Sequence, residues 1–301
     1  MADFRSGFVT VIGRPNVGKS TLINALLGQK IAAVSPRPQT TRRRQLGILT
    51  RPGVQLVFVD TPGIHQPRHR LGMFMNQEAE ASLEGVDAIV FLVDITSDPT
   101  EDDVRIADLL RNLRRRPSVV LATNKLDLVS TPAATEKLEK YRLLLPSGSE
   151  SILISATRGD GLEGLVELLT ERCPPGMPEY EEDQVTDLYE REIAADLVRE
   201  AALLNLRDEV PHSLAVRVDE FKERENGIDY IRATLLLERE SQKAIVIGRG
   251  GKMLKQIGVE ARREIEAMTG RRVFLELRAK VEKGWRNKES ILEQLGYKPR
   301  R

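Results

Sequence analysis

The chain has 301 residues, 41% hydrophobic and 30% charged, with 46 Lys and Arg against 45 Asp and Glu. That length suffices for about two domains, and the apolar fraction excludes a disordered chain. The single cysteine, Cys173, excludes an intramolecular disulfide and cannot alone build a structural zinc site, and three dispersed histidines (His65, His69, His212) add no metal cluster.

The first half alternates short apolar runs with helical patterns. "GFVTVIG" (7–13), "VQLVFVD" (54–60), "DAIVFLVD" (87–94), "SVVLATN" (118–124) and "SILISA" (151–156) predict strands. Such runs suit a parallel sheet covered on both faces. Helices are predicted near 19–28, 70–84, 101–115, 132–144 and 161–172. The alternation gives a doubly wound, mostly parallel α/β domain with its ligands at the carboxyl ends of the strands. "CPPGMPEYEEDQ" (173–184) interrupts it with prolines, a glycine and acids and reads as a linker. The expected boundaries are a first domain over 1–175, a linker over 176–185 and a second domain over 186–301.

The second domain begins with a helix near 186–206, with Ile193, Leu197, Ala201 and Leu204 on one face. Two strands follow, "HSLAVRVDEFKE" and "IDYIRATLLLE", joined across "RENG". A helical stretch ends in "IVIG", and beyond a glycine cluster Leu254, Ile257, Ala261, Ile265 and Met268 recur at helical spacing. "RRVFLELRAKV" is a final strand and "NKESILEQLGY" a final short helix. From Gly270 onward ten Lys and Arg stand against four Glu. That excess suits a polyanion partner, although a solvated surface is the commoner reading. The N-terminal residues carry no signal-peptide core, and no stretch approaches the roughly 20 apolar residues that span a bilayer, so a cytoplasmic location is expected.

Gly13-Arg14-Pro15-Asn16-Val17-Gly18-Lys19-Ser20 satisfies the P-loop pattern between a strand and a helix, with Thr21 following in the helix. Its glycines let backbone N–H groups face phosphate oxygens, Lys19 reaches the outer phosphates, and Ser20 can ligate Mg²⁺. A chance match occurs in about 1% of chains this long, so this motif carries weight alone. Asp60-Thr61-Pro62-Gly63 ends a strand, where the carboxylate can hold a Mg²⁺ water and the Gly63 N–H can sense a γ-phosphate. Between the two, "QTTRRR" offers Thr40 and Thr41, either of which could close over Mg²⁺. An ordinary basic surface loop is the plain alternative.

Asn124-Lys125-Leu126-Asp127 ends another strand. A carboxylate at Asp127 can accept both the N1–H and the 2-amino protons of guanine, whereas adenine would leave the charge unpaired, a penalty of a few kcal/mol. After the last strand, Ser155 and Ala156 of "SAT" can bring a backbone N–H to the guanine O6.

The second glycine cluster, "IGRGGKML", fits neither nucleotide fingerprint, because both need glycine where Met253 stands. It does give G-x-x-G at Gly248-Arg249-Gly250-Gly251, between two helical stretches. There the backbone of about four single-stranded nucleotides can approach closely, with Arg249 and Lys252 neutralising phosphates. Alone G-x-x-G mostly means a tight turn. Its flanks, in the order α-β-β-α-α-β, look like the α+β type II KH fold. Trp285 in the basic tail either stacks on a base or sits in a small core under a covering helix.

All of these pieces, in this order, resemble the translation-factor-related class of P-loop GTPases, and "GRPNVGKS" with "QTTR" and "DTPG" looks like its Era branch. The similarity covers the whole chain, since Era proteins also end in a KH domain. It implies a GTP- and GDP-binding GTPase with Mg²⁺ on Ser20, Thr41 and Asp60, Thr41 being favoured over Thr40. It further implies binding of the 3′ end of small-subunit ribosomal RNA and a role in assembling the small (30S) subunit; a monomer is expected. In the general GTPase scheme a glutamine after the D-x-x-G glycine orients the attacking water; here that position is Ile64. Three readings follow: slow intrinsic turnover, a group supplied by a partner, or K⁺ held by Asn16, as relatives with asparagine there suggest. Lys19, Asn16, Thr41 and Gly63 are the expected catalytic set. His65 is the nearest titratable group, more often merely solvated in such a setting. Nucleotide-driven ordering of about 31–44 and 60–80 would move the KH domain relative to the GTPase. A membrane-associated signalling GTPase, its C-terminal domain binding lipid or protein at the inner face of the cell membrane, is the alternative reading.

Overall fold

Apolar runs that are buried along their whole length need neighbours on both sides, and the first half of the chain supplies them as one six-stranded sheet. Its strands are β1 (Arg5–Ile12), β2 (Gln45–Arg51), β3 (Val54–Asp60), β4 (Ala88–Asp94), β5 (Ser118–Asn124) and β6 (Glu150–Leu153), in the order β2-β3-β1-β4-β5-β6. Every residue of β3 and β4 is buried, which accounts for their uninterrupted apolar sequence. Helices α1 (Lys19–Leu27), α2 (Arg70–Ala81), α3 (Glu101–Arg111), α4 (Thr131–Arg142) and α5 (Leu162–Arg172) alternate with the strands. The computed structural model describes residues 4–35, 40–64, 67, 69–115, 117–146, 148–224 and 227–297. Among them no helix is long and apolar enough to cross a membrane.

One strand was not expected. "QLGILTR" forms β2, antiparallel to β3 from Gln45↔Asp60 to Arg51↔Val54. Its glycine and the arginines before it weaken the local strand signal; pairing with β3 across Pro52-Gly53 supplies the order. The expected last strand of the sheet stops at Leu153 rather than 156, because Ser155 turns back to bridge Asp160.

Residues 176–185, read as a linker, are held along the exposed edge of β2. Gln55 accepts from the backbone N–H of Glu179 and Tyr180 and donates to the Tyr180 carbonyl. The β2 edge itself donates from Ile48 N to Val185 O and from Leu46 N to Asp187 Oδ1, both 2.9 Å. An unpaired strand edge is thereby covered.

Two compact units result: Met1–Lys30, Thr41–Gln66 and Met75–Asp187 make the first, and Ile31–Thr40, Pro67–Phe74 and Leu188–Arg301 the second. In the second, α6 (Glu190–Asn205), β7 (Ala215–Lys222), β8 (Ile228–Leu237), α7 (Glu240–Ile247), α8 (Lys252–Thr269) and β9 (Arg272–Val281) follow the α-β-β-α-α-β order, and a short α9 (Glu289–Gln294) ends it. The sheet β7-β8-β9 pairs β7 with β8 antiparallel and β8 with β9 parallel. Ile193, Leu197 and Ala201 of α6 and Ile257, Ala261 and Ile265 of α8 pack with Ile231 and Leu235 of the sheet. Leu204, expected on the buried face of α6, is 53% exposed instead; Ala194, Val198 and Ala202 complete that face. Trp285 is fully buried and its Nε1–H donates to the Ser213 carbonyl at 2.8 Å. No face of it is left for a base, so the stacking role is excluded.

Candidate functional site

The carboxyl ends of β1, β3, β4 and β5, and the loop after β6, bring the first set of predicted residues together. Gly13 to Gly18 link β1 to α1, and Lys19, Ser20 and Thr21 form the first turn of the helix. Gly18 has φ 103°, and a Cβ there would lie 2.4 Å from Asn124 Nδ2, so glycine is required for both conformation and space. Lys19 is buried, and its Nζ crosses the loop to donate to Gly13 O (2.9 Å) and Arg14 O (3.1 Å). Burial pulls its pKa down to about 8 against the opposing charge of Asp60, with Arg14 adding to the fall. Arg14 turns away from the loop to Ser97 Oγ and the fully buried Asp103. Asn16 is exposed in the left-handed region, φ 65°.

It is Thr41 whose hydroxyl meets the Ser20 and Asp60 side chains; Thr40 Oγ1 instead faces the Ser35 carbonyl. Ser20 Oγ, Thr41 Oγ1 and Asp60 Oδ2 are separated by 2.8, 2.9 and 3.1 Å. An octahedral Mg²⁺ with oxygens at about 2.1 Å has cis edges of about 3 Å, so the triangle has the dimensions of one octahedral face. Asp60 is fully buried, and its Oδ1 has no hydrogen-bond partner among the described residues. Burial pushes the carboxyl above its ordinary pKa, against the pull of Lys19 and the hydrogen bonds from Ser20, Thr41 and Gln45. A divalent cation fits this donor set: it supplies the missing positive charge. Gln45 Nε2, which braces Asp60 at 3.1 Å, was not foreseen, because nothing in the sequence marks β2 as the neighbour of β3.

Thr61 Oγ1 donates to Val11 O, tying the turn after β3 to β1. Pro62 follows, and Gly63 passes so close to the P-loop that a Cβ there would sit 2.8 Å from Pro15 N. Ile64 is 3% exposed and belongs to the apolar cluster that includes Ile12, Phe91 and Ile95. The position of the usual water-orienting glutamine is therefore turned into the core. His65 lies outside the described residues.

At the base end, Asn124 acts as a staple. Its Nδ2 donates to Val17 O of the P-loop and its Oδ1 accepts from Ala156 N, both at 2.9 Å. The Ala156 N–H, offered by the sequence as a guanine contact, is thus engaged by Asn124. Asp127 Oδ1 accepts from Ser155 Oγ at 2.6 Å, which fixes the carboxylate, and Leu126 N donates to Ile154 O. Lys125 Nζ lies 2.6 Å from Asp94 Oδ2 at the end of β4. Burial raises Asp94, but the hydrogen bonds from Lys125 and Thr96 outweigh it and hold its pKa below the ordinary value. Asp94 and Asp103 were missed by the sequence reading; the position of Asp94 at a strand end in "FLVD" was the available signal.

The second predicted set lies between α7 and α8. Gly248 has φ 71° and ψ 172°, and a Cβ there would approach Met253 N to 2.9 Å. Gly250 and Gly251, at φ 60° and 76°, face open space. The loop with Arg249 and Lys252 opens onto a groove of about 380 Å³ between α8 and β9, lined by Leu254, Lys255, Val259, Arg262 and Phe274 among others. Lys255, Gly258, Val259 and Arg262 recur at helical spacing on the flank beside the Ile257, Ala261 and Ile265 stripe. That spacing was readable in the sequence as a second face. An apolar floor with a cationic rim and an open glycine turn can take an unpaired nucleic-acid strand.

Comparison with known proteins agrees with both halves. Residues 8–125 match the family model described as 50S ribosome-binding GTPase, and residues 209–286 match that of the KH domain. The chain is 48% identical to GTPase Era of Geotalea uraniireducens and 46% identical to that of Halothermothrix orenii, each over 98% of this chain and 98% and 99% of the relative. Among solved structures, Era in complex with MgGDPNP and nucleotides 1506–1542 of 16S ribosomal RNA superposes with a TM-score of 0.93 at 38% identity, covering 98% of this chain and 99% of that one. A variant of Aquifex aeolicus Era bound to GDP and AlF4⁻ gives 0.92 at 37% identity, covering 97% and 99%. The chain belongs to the Era family of GTPases.

Proposed function

We propose that this protein is a GTP-hydrolysing switch that binds the 3′ end of 16S ribosomal RNA through its KH domain and acts in assembly of the small ribosomal subunit, in the cytoplasm. The observation that carries the reading is the coexistence, in one chain, of the Ser20–Thr41–Asp60 triangle below a P-loop and the cation-rimmed groove beside Gly248–Gly251. The full-length likeness to an Era bound to that RNA supports the choice of RNA.

In this reading the P-loop backbone and Lys19 hold the phosphates, and Asp127 selects guanine over adenine. Ser20, Thr41 and Asp60 hold Mg²⁺, directly or through a water; the ion when bound neutralises charge on the outer phosphates. Thr41 and Gly63 report the γ-phosphate, the first through its hydroxyl and the second through its N–H. Thr41 is joined by a peptide bond to Thr40, whose carbonyl accepts from the buried Arg199 of α6. A change at the γ-phosphate thereby reaches the second unit along the chain itself. With Ile64 in the core, water orientation falls to other groups, and we assign to the exposed Asn16 the holding of K⁺. Hydrolysis is expected to be several-fold faster in K⁺ than in matched Na⁺ buffer; equal rates would remove the assignment.

Crosslinking of the GTP-loaded protein to total cellular RNA tests the whole reading. A sharp peak at the 3′ end of small-subunit RNA, lost with Gly250→Asp, is expected. Gly250 faces open space in a conformation that aspartate tolerates, so the variant folds while placing a carboxylate where phosphates pass. A diffuse signal would detach the GTPase from ribosome assembly.

A further inference from the structure

The end of β4 carries a carboxylate that none of the nucleotide motifs accounts for. Asp94 closes that strand, and its two oxygens have separate partners. Oδ1 accepts from the Thr96 N–H at 2.9 Å and from the Thr96 hydroxyl at 2.6 Å, which shapes the turn after the strand. Oδ2 faces two cations, Lys125 Nζ at 2.6 Å and Arg14 Nη2 at 4.0 Å. Lys125 belongs to the turn that carries Asp127, and Arg14 belongs to the phosphate loop. One oxygen thus stands between the base half and the phosphate half of the site.

The end of β4 is held independently of these cations. The buried Tyr141 hydroxyl donates to the Asp94 and Ser97 carbonyls, at 3.2 and 3.4 Å, and Ile95 N donates to Asn124 O. The cations, by contrast, need fixing. Lys125 is a non-glycine residue in the left-handed region, φ 69°, a conformation that persists only where its neighbours over-determine it. Arg14 carries a carbonyl that accepts from Lys19 Nζ at 3.1 Å, so a shift of Arg14 moves the lysine that serves the phosphates. The Arg14 guanidinium also donates from Nη2 to Ser97 Oγ at 2.8 Å, and its Nε lies 3.3 Å from Oδ2 of the fully buried Asp103. That same Asp103 oxygen accepts from the Thr100 N–H and hydroxyl at the start of α3. Lys125, Asp94, Arg14 and Asp103 therefore alternate in charge from the base turn to α3. In such a partly desolvated line each pairing depends on the next.

We infer that Asp94 is a positioning residue that ties the base-selecting turn to the phosphate loop. Guanine seated on the one tightens the grip of the other on phosphate, and nucleotide release is slowed. Asp94 touches neither base nor phosphate in this assignment; it acts through Lys125 and Arg14. The inference rests on the reading of Asp127 and the P-loop as the two ends of one guanine-nucleotide site.

The test uses the full-length protein with Mg²⁺ and with GDP or ADP labelled on the ribose by an N-methylanthraniloyl fluorophore. Asp94→Asn keeps an oxygen for Thr96 and removes the charge that faces Lys125 and Arg14. It is expected to release labelled GDP about ten-fold faster and to raise KM for GTP, while single-turnover hydrolysis at saturating GTP stays within about two-fold. Arg14→Met and Lys125→Met should have non-additive effects on the release rate when Asp94 is present, and additive effects in the Asp94→Asn background. Unchanged release in Asp94→Asn, additive effects with Asp94 present, or a saturated rate that falls as far as the affinity would overturn the positioning role while the nucleotide site stands. Wild-type protein that holds labelled ADP as tightly as labelled GDP would overturn the reading of the site, and the inference with it.

Discussion

Ile64 shows how one side chain can set this chain apart from the general GTPase scheme. Restoring the expected glutamine there would not restore its chemistry, because the side chain points into the cluster with Ile12, Phe91 and Ile95. Ile64→Gln should leave kcat no higher than the wild type and lower stability by about 2–3 kcal/mol, since a buried amide finds no partner. Thermal unfolding and single-turnover hydrolysis measure the two effects separately. An increase in kcat would mean that this turn swings outward in the working state. Asn124 is the opposite case. It was expected among the nucleotide contacts, and its two hydrogen bonds join the P-loop to the loop after β6, so it acts by holding two other contacts in place.

At the scale of elements, the β2 edge and the segment beyond α5 depend on one another. Gln55 is fully buried and accepts from two backbone N–H groups of that segment while donating to a third backbone group and to Thr50. Gln55→Ala strips all four bonds at once. Amide hydrogen exchange should quicken across 179–187 and stability should fall by about 2–3 kcal/mol, with GTP affinity unchanged. Protection retained over 179–187 would show that the bonds from Ile48 and Leu46 suffice to cover the edge. The sequence reading took this stretch for a linker because its prolines and acids are linker composition. Composition reports that a segment will not form a helix; it does not report whether a neighbouring strand edge needs covering.

For the whole molecule, the proposed switch would pass along the peptide link between Thr41 and Thr40. Arg199, 3% exposed and paired with Asp196, holds the Thr40 carbonyl. Arg199→Ala should therefore narrow the difference in RNA affinity between the GTP and GDP states, while leaving affinity for GTP itself within about two-fold. Anisotropy titrations with saturating nucleotide measure this. An undiminished difference would send the coupling elsewhere.

The sequence by itself determined the alternation of strands and helices apart from β2, the P-loop, the Asp60–Gly63 and Asn124–Asp127 turns and the G-x-x-G loop. These are local motifs: a strand that ends, a turn that needs glycine, and a polar group at a fixed offset from both. Their physics is complete within a dozen residues. Tertiary structure alone decided which of Thr40 and Thr41 meets Asp60, that β2 exists, and that Trp285 is buried rather than available. Each of these depends on which strand lies beside which and in what register, and pairing partners far apart in sequence leave no trace in either segment taken alone.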